Sequence, residues 1–184
     1  LKAECDVCVT SSNAVRIVSS LPNQNILFIP DENLGRFVQA QVPGKRFYFS
    51  VGYCPVHAQL LAEDVEREKL ARPNAPVLAH PECRADLLAL ADFVGSTSEI
   101  IAYAEKSGAA EFILCTEPGV LWELSRRCPG KHFVPVTPVC ADMKRITPEK
   151  VEACLAGGGY EVQLDAALMD AARRPLERML ELAR

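Results

Sequence analysis

An internal repeat constrains this chain more than any other feature. The run Cys5-Asp6-Val7-Cys8-Val9-Thr10-Ser11-Ser12-Asn13-Ala14-Val15 resembles Ala91-Asp92-Phe93-Val94-Gly95-Ser96-Thr97-Ser98-Glu99-Ile100-Ile101 at an offset of 86 residues. The offset holds without a gap. Ile26–Asp31 falls on Phe112–Glu117, Pro43-Gly44-Lys45-Arg46-Phe47 falls on Pro129-Gly130-Lys131-His132-Phe133, and Cys54 falls on Cys140. An ungapped match over about fifty positions is hard to obtain by chance, and its period is too long for one solenoid unit. It reads as a duplicated α/β domain.

Within each copy, short apolar runs predict buried parallel strands at Val7–Thr10, Ile26–Ile29, Val77–Ala79, Phe93–Gly95 and Phe112–Cys115. Ser12 and Ser98 are natural N-caps for helices running to about Ser20 and Lys106. Val56–Ala71 has helical spacing, another helix is expected to start near Pro81, and Trp122 on Val120–Arg127 is expected to pack. Asp31 and Glu117 each end a strand and are expected to cap the next helix. Such alternation gives parallel sheets with helices on both faces. The strand Pro76–Ala79 has its counterpart at negative numbers, so the first copy is expected to lack its first strand, with something missing upstream. Beyond Cys140, Thr147-Pro148 opens a helix that Gly157-Gly158-Gly159 ends, Tyr160–Leu164 reads as a strand, and Asp165 caps a last helix with a kink point at Pro175. The expected architecture is α/β: two repeated three-layer αβα domains, residues 1–55 and 56–140, and a C-terminal helical tail, residues 141–184.

Charge and composition remove several functions. A net charge of -4 with mixed signs argues against nucleic acid. No apolar run reaches the roughly 20 residues of a membrane helix. Leu1-Lys2-Ala3-Glu4 turns polar at once, so no secretory leader is read here, and the eight cysteines are expected in a reducing compartment. Metal binding, catalysis or plain burial are then their natural uses.

In doubly wound domains ligands bind beyond the carboxyl ends of the strands, where the unusual residues of this chain fall. Thr10-Ser11-Ser12 and Ser96-Thr97-Ser98 offer hydroxyls and free amides to a carboxylate or phosphate, or simply cap helices. His80 and Glu82 directly follow a strand and suit general acid–base work. Cys54 and Cys140 end the last strand of each copy and can converge on one metal, with His57 three residues after Cys54. Two thiolates are too few for a closed zinc or cluster site, so a third is expected from the missing part. Cys5-x-x-Cys8 is not read as a chelating pair, because residues three apart in a strand point to opposite faces. Cys115 and Cys154 read as small buried hydrophobes, and Cys83 and Cys128 stay unassigned.

Taken together, several motifs resemble the quinolinate synthase family. They are Lys2-Ala3-Glu4, Asp6-Val7, Val9–Val15, Pro30-Asp31-Glu32-Asn33-Leu34, Gly52-Tyr53-Cys54-Pro55-Val56-His57, His80-Pro81-Glu82-Cys83, Gly95-Ser96-Thr97-Ser98, Thr116-Glu117 and Cys140-Ala141-Asp142-Met143-Lys144. The resemblance implies three similar α/β domains around a pseudo-threefold axis, each giving one cysteine to a [4Fe–4S] cluster. The open iron would help condense iminoaspartate with dihydroxyacetone phosphate to quinolinate, a cytoplasmic step of NAD biosynthesis. By motif, Cys54 and Cys140 would ligate the cluster, and Ser11, His80, Pro81, Glu82 and Thr97 would hold the iminoaspartate carboxylates. Glu82 and His57 would be the acid–base groups, with Ser96 and Met143 lining the pocket. An iminoaspartate-producing oxidase or dehydrogenase is an implied partner. The family's first domain, with the third cysteine, has no counterpart in these residues, and the tail is expected to pack on it. The competing readings are a non-catalytic carboxylate-binding relative, or a zinc or thiol-redox protein.

Overall fold

The structure, a computed structural model, describes residues 1–136, 138–159 and 161–184. The chain divides into two compact units, one of Ser11–Val139 and one of Leu1–Thr10 with Cys140–Arg184.

The unit Ser11–Val139 alternates helix and strand: α1 (Ala14–Ser20), β1 (Asn25–Phe28), α2 (Glu32–Gln41), β2 (Arg46–Phe49), α3 (Pro55–Ala58), α4 (Ala62–Ala71), β3 (Val77–Ala79), α5 (Ala85–Leu88), β4 (Phe93–Val94), α6 (Thr97–Lys106), β5 (Glu111–Cys115), α7 (Val120–Arg127) and β6 (His132–Pro135). All strand pairs are parallel, in a two-stranded sheet β1-β2 and a four-stranded sheet ordered β4-β3-β5-β6. The expected α/β class with parallel sheets and a helical tail holds.

Strand alternation builds the core of the larger sheet. Phe112 and Leu114 of β5 pack with Ile100 and Ala104 of α6 and Leu124 of α7. Ile113 and Cys115, pointing the other way, pack with Leu60, Val65 and Leu87 on the side of α4 and α5. Helices therefore cover both faces, and each large side chain so buried stabilises by about 1.5–3 kcal/mol. The smaller sheet is covered differently. Ile26, Phe28 and Phe47 are buried, whereas the paired Leu27 and Tyr48 are 70% and 50% exposed.

The two strand pairs β1-β2 and β5-β6 share one register. Asn25 pairs Arg46 and Phe28 pairs Phe49, while Glu111 pairs His132 and Leu114 pairs Pro135, each 86 residues on. The turns before β2 and β6 match as well. Gly44 and Gly130 take φ of 96° and 86°, a left-handed backbone that a side chain would strain. Lys45 Nζ donates to the carbonyls of Leu21 and Asn23, and Lys131 Nζ donates to those of Ala104 and Ser107. Leu21 and Ser107 are the C-caps of α1 and α6, so each lysine satisfies a helix end that lacks its own donors.

Several local expectations are corrected. No strand forms at Val7–Thr10: a strand needs a hydrogen-bonding neighbour, as β4 has in β3, and no described strand pairs with these residues. That removes the strand argument about Cys5 and Cys8; instead the Cys5 thiol donates to the Leu1 carbonyl at 3.2 Å. The N-caps are Asn13 and Ser96 rather than Ser12 and Ser98, since Glu99 closes a capping box on Ser96. Val56–Ala71 breaks into α3 and α4, and the helix expected near Pro81 starts at Ala85. Trp122 is 71% exposed under the guanidinium of Arg126, and Cys154 is exposed rather than buried.

The other unit holds 3-10 turns at Lys2–Glu4 and Met143–Arg145 with α8 (Pro148–Leu155) and α9 (Ala166–Leu182). Thr147 caps α8 with Pro148 at its start, and Asp165 caps α9 by accepting the amide of Leu168. Helix α9 runs through Pro175, which is buried, and the Pro175 carbonyl accepts the Cys8 amide at 3.0 Å. The strand expected at Tyr160–Leu164 does not form over residues 161–164, and Tyr160 lies outside the described residues. Among the described residues no helix is long and apolar enough to cross a membrane.

Candidate active site and metal-binding group

In the order β4-β3-β5-β6 the chain leaves β3 in one direction and β5 in the other, so the carboxyl ends of these two central strands form the switch point where such sheets bind ligands. His80 follows β3 there. Its amide donates to the Cys115 carbonyl at 3.1 Å, and its own carbonyl accepts the Cys83 amide at 3.0 Å, closing a tight turn through Pro81 and Glu82. The Glu82 amide donates to His80 Nδ1 at 3.3 Å. Nδ1 is thus the acceptor, and the ring proton of neutral His80 sits on Nε2. Burial holds His80 down at about 4, against the pull of Glu82, so the ring is neutral near pH 7.

Cys54 is the N-cap of α3, with Pro55 at the first helical position, and this short helix carries His57 inward. His57 is only 7% exposed and stacks on His80 with centroids 4.7 Å apart. His57 Nδ1 lies 3.1 Å from Glu82 Oε2. That hydrogen bond is the main cause holding the Glu82 carboxyl below its usual range, outweighing the opposing effect of burial. An ionised Glu82 fixes the His57 proton on Nδ1. His57 Nε2 is then buried with no hydrogen-bond partner among the described residues. An unmet buried nitrogen costs roughly 1–3 kcal/mol unless a ligand meets it.

Cys54, His57 and Glu82 each offer one ligand atom, and these atoms all lie within 4.8 Å of one another. Burial pushes the Cys54 thiol up, while the amides of His57 and Val56 favour its thiolate. A thiol, an imidazole and a carboxylate in one group can bind a metal or move protons beside one.

The two hydroxyl loops are placed by α1 and α6. Ser11 and Ser12 line a cleft of about 350 Å³ together with Val94, Gly95 and Glu99. Thr97 opens α6 and is exposed. The buried Ser96 hydroxyl donates to Glu99 Oε2 at 2.6 Å, so capping occupies it. The structure therefore joins Cys54, His57, His80 and Glu82 in one group and places Ser11 on a cleft beside Gly95. Cys140 and Met143 belong to the other compact unit.

The family model described as Quinolinate synthetase A protein matches residues 1–181. The chain belongs to this family. It is 46% identical to the quinolinate synthase of Caldicellulosiruptor saccharolyticus, covering 100% of this chain and 61% of that protein. It is 46% identical to that of Fusobacterium nucleatum with the same coverage, and 41% identical to quinolinate synthase 2 of Methanosarcina acetivorans, over 100% of this chain and 59% of that protein. The chain thus spans about three fifths of the length of the curated quinolinate synthases it matches.

Two features of this quinolinate synthase family member escaped the sequence reading. Asp31 does cap α2 through Leu34, as expected, but it also accepts the amide of Cys54 at 2.7 Å. Gly52 sits where a Cβ would lie 2.2 Å from the Pro30 carbonyl oxygen, so only glycine lets the Cys54 segment pass. The available signal was position, since Pro30-Asp31 and Gly52–Cys54 follow neighbouring parallel strands at the same edge.

Proposed function

We propose that the complete protein is a quinolinate synthase of NAD biosynthesis, acting in the cytoplasm. It condenses iminoaspartate with dihydroxyacetone phosphate to quinolinate, releasing phosphate and two waters. The observation that carries this reading is the Cys54–His57–Glu82 group in a chain of this family. In this reading residues 1–55 and 56–140 are repeated three-layer αβα domains of a pseudo-threefold parent, supported by the common register of β1-β2 and β5-β6. Residues 141–184 pack on a first domain that supplies the third cysteine.

The residues present suit a [4Fe–4S] cluster at Cys54: its thiol groups with the His57 imidazole and the Glu82 carboxylate, and His57 Nε2 is buried with no hydrogen-bond partner among the described residues. Cys54 and Cys140 would hold the cluster with the third cysteine. When bound, the cluster supplies an open iron that acts as a Lewis acid on a substrate oxygen. The side chains do the rest. Ring formation requires protons to leave carbon and reach departing oxygens. Glu82, held ionised, takes a proton, and His57 on its Oε2 steadies the carboxylate and returns protons. Neutral His80 presents Nε2–H to an iminoaspartate carboxylate, with Ser11, Pro81 and Thr97 completing its binding. By the family motifs, Ser96 and Met143 would each contribute to substrate binding. An oxidase or dehydrogenase that makes iminoaspartate is the expected partner, because the imine hydrolyses in water.

The test is quinolinate formation from both substrates by the complete protein prepared without oxygen, with iron and sulfide measured on the same sample. Product that depends on both substrates and on cluster content is expected. A fully loaded protein that makes no quinolinate rejects the reading. The same trio is also a donor set that zinc accepts, and stoichiometric zinc without sulfide would favour a zinc-binding relative instead.

A further inference from the structure

Asp31 uses its two carboxylate oxygens for two different tasks. Oδ1 accepts the Leu34 amide at 2.7 Å and caps α2, whereas Oδ2 accepts the Cys54 amide at 2.7 Å across 23 residues of chain. The side chain is 8% exposed, so water does not compete for either bond. The backbone ties the same two segments. Asp31 forms a parallel bridge with Gly52, and the Glu32 amide donates to the Gly52 carbonyl at 2.7 Å. A helix cap alone needs one oxygen. The second oxygen fixes the residue whose thiol stands in the Cys54–His57–Glu82 group.

We infer that Asp31 is a positioning residue for Cys54, which holds the amide of this cluster ligand and so governs how firmly the metal group is kept. The inference rests on the reading of Cys54 as a cluster ligand. Its physical basis is that a ligand's own partners orient it: a charge-assisted bond to the Cys54 amide restricts the backbone that aims the thiol. Asp31 acts through Cys54 and touches no reacting atom.

The experiment uses the complete protein loaded with its cluster and follows iron release to a chelator. Asp31→Ser keeps a hydroxyl that caps a helix, but one short oxygen cannot serve both amides. Asp31→Asn keeps the shape and loses one acceptor. Both variants are expected to release iron roughly tenfold faster or more, the scale on which outer-shell partners act. The electron paramagnetic resonance signal of the reduced cluster is expected to shift in both, while the serine variant melts close to the wild type. Wild-type release and an unchanged signal in both variants overturn the inference. So does failure of the serine variant to fold, because Asp31 would then serve the core. Cys54→Ala is the control. Full iron in that variant removes the ligand reading and this inference together, whereas lost iron there with wild-type behaviour of both Asp31 variants overturns this inference alone.

Discussion

The imidazole of His57 and the carboxylate of Glu82, 25 residues apart in the chain, meet at 3.1 Å between Nδ1 and Oε2. The contact brings together α3, the short helix after β2, and the turn that follows β3. It leaves His57 Nε2 buried with no hydrogen-bond partner among the described residues. Both facts make this group able to take a ligand.

For Glu82→Gln in the complete enzyme, the cluster and substrate binding are expected to survive while turnover falls roughly 10²-fold or more. Gln keeps the shape and can still accept from His57 Nδ1, yet cannot take a proton. Quinolinate formation measured beside iron content checks this. Near-normal turnover with an intact cluster would move the proton work to His57.

Cys54→Ala and Cys140→Ala, in complete protein prepared without oxygen, are each expected to abolish the brown iron–sulfur absorbance. Cys5→Ala and Cys154→Ala are expected to leave it, since the exposed Cys154 and the Cys5 thiol bonded to Leu1 lie outside the ligand set. Normal iron in the Cys140 variant would refute its assignment.

Thiol reactivity should follow burial. Burial pushes Cys115 up to about 12 and raises Cys83 and Cys128, and all three side chains are buried. Only a thiolate is nucleophilic, so these three are expected to resist iodoacetamide in the native protein while Cys154 is alkylated. Mass mapping of the labelled peptides reads the outcome, and rapid labelling of Cys115 would contradict the packing described.

Lys45→Met and Lys131→Met each delete a charged donor that holds a helix C-cap carbonyl and one further carbonyl. Each is expected to destabilise by roughly 1.5 kcal/mol or more. Urea midpoints with unchanged slopes test this. A loss in one variant and none in the other would break the equivalence of the two turns.

Gly52→Ala places a Cβ against the Pro30 carbonyl oxygen, where backbone rather than a flexible side chain must give. A loss of about 1–3 kcal/mol is expected, with weaker iron retention because the Cys54 segment shifts. Wild-type stability would show that this crossing is looser than its geometry.

The strands of the second copy were legible because Val77–Ala79 and Phe112–Cys115 are continuous apolar runs, the mark of a strand buried on both faces. Val7–Thr10 carries a similar pattern and forms no strand, because a strand exists only where a neighbour supplies hydrogen bonds. Within the candidate site, residue types were readable and contacts were not. His57, His80 and Glu82 stood out as titratable groups at strand ends, but nothing local places the His57 ring over that of His80. Trp122 illustrates the opposite error: a large aromatic on a helix reads as core, and here it lies outside under Arg126.

By itself the sequence determined the α/β alternation, the 86-residue equivalence that carries Lys45 onto Lys131, and the motifs that mark the family. These follow from hydrophobic period, turn chemistry and capping, all of which act between residues near one another in the chain. The tertiary structure decided which oxygen of Asp31 reaches Cys54, which nitrogen of His57 faces Glu82 and which is left unmet, and that Gly52 must stay bare. Those are questions of ångströms between segments about 20 residues or more apart, fixed only when parallel strands bring their carboxyl ends to one edge.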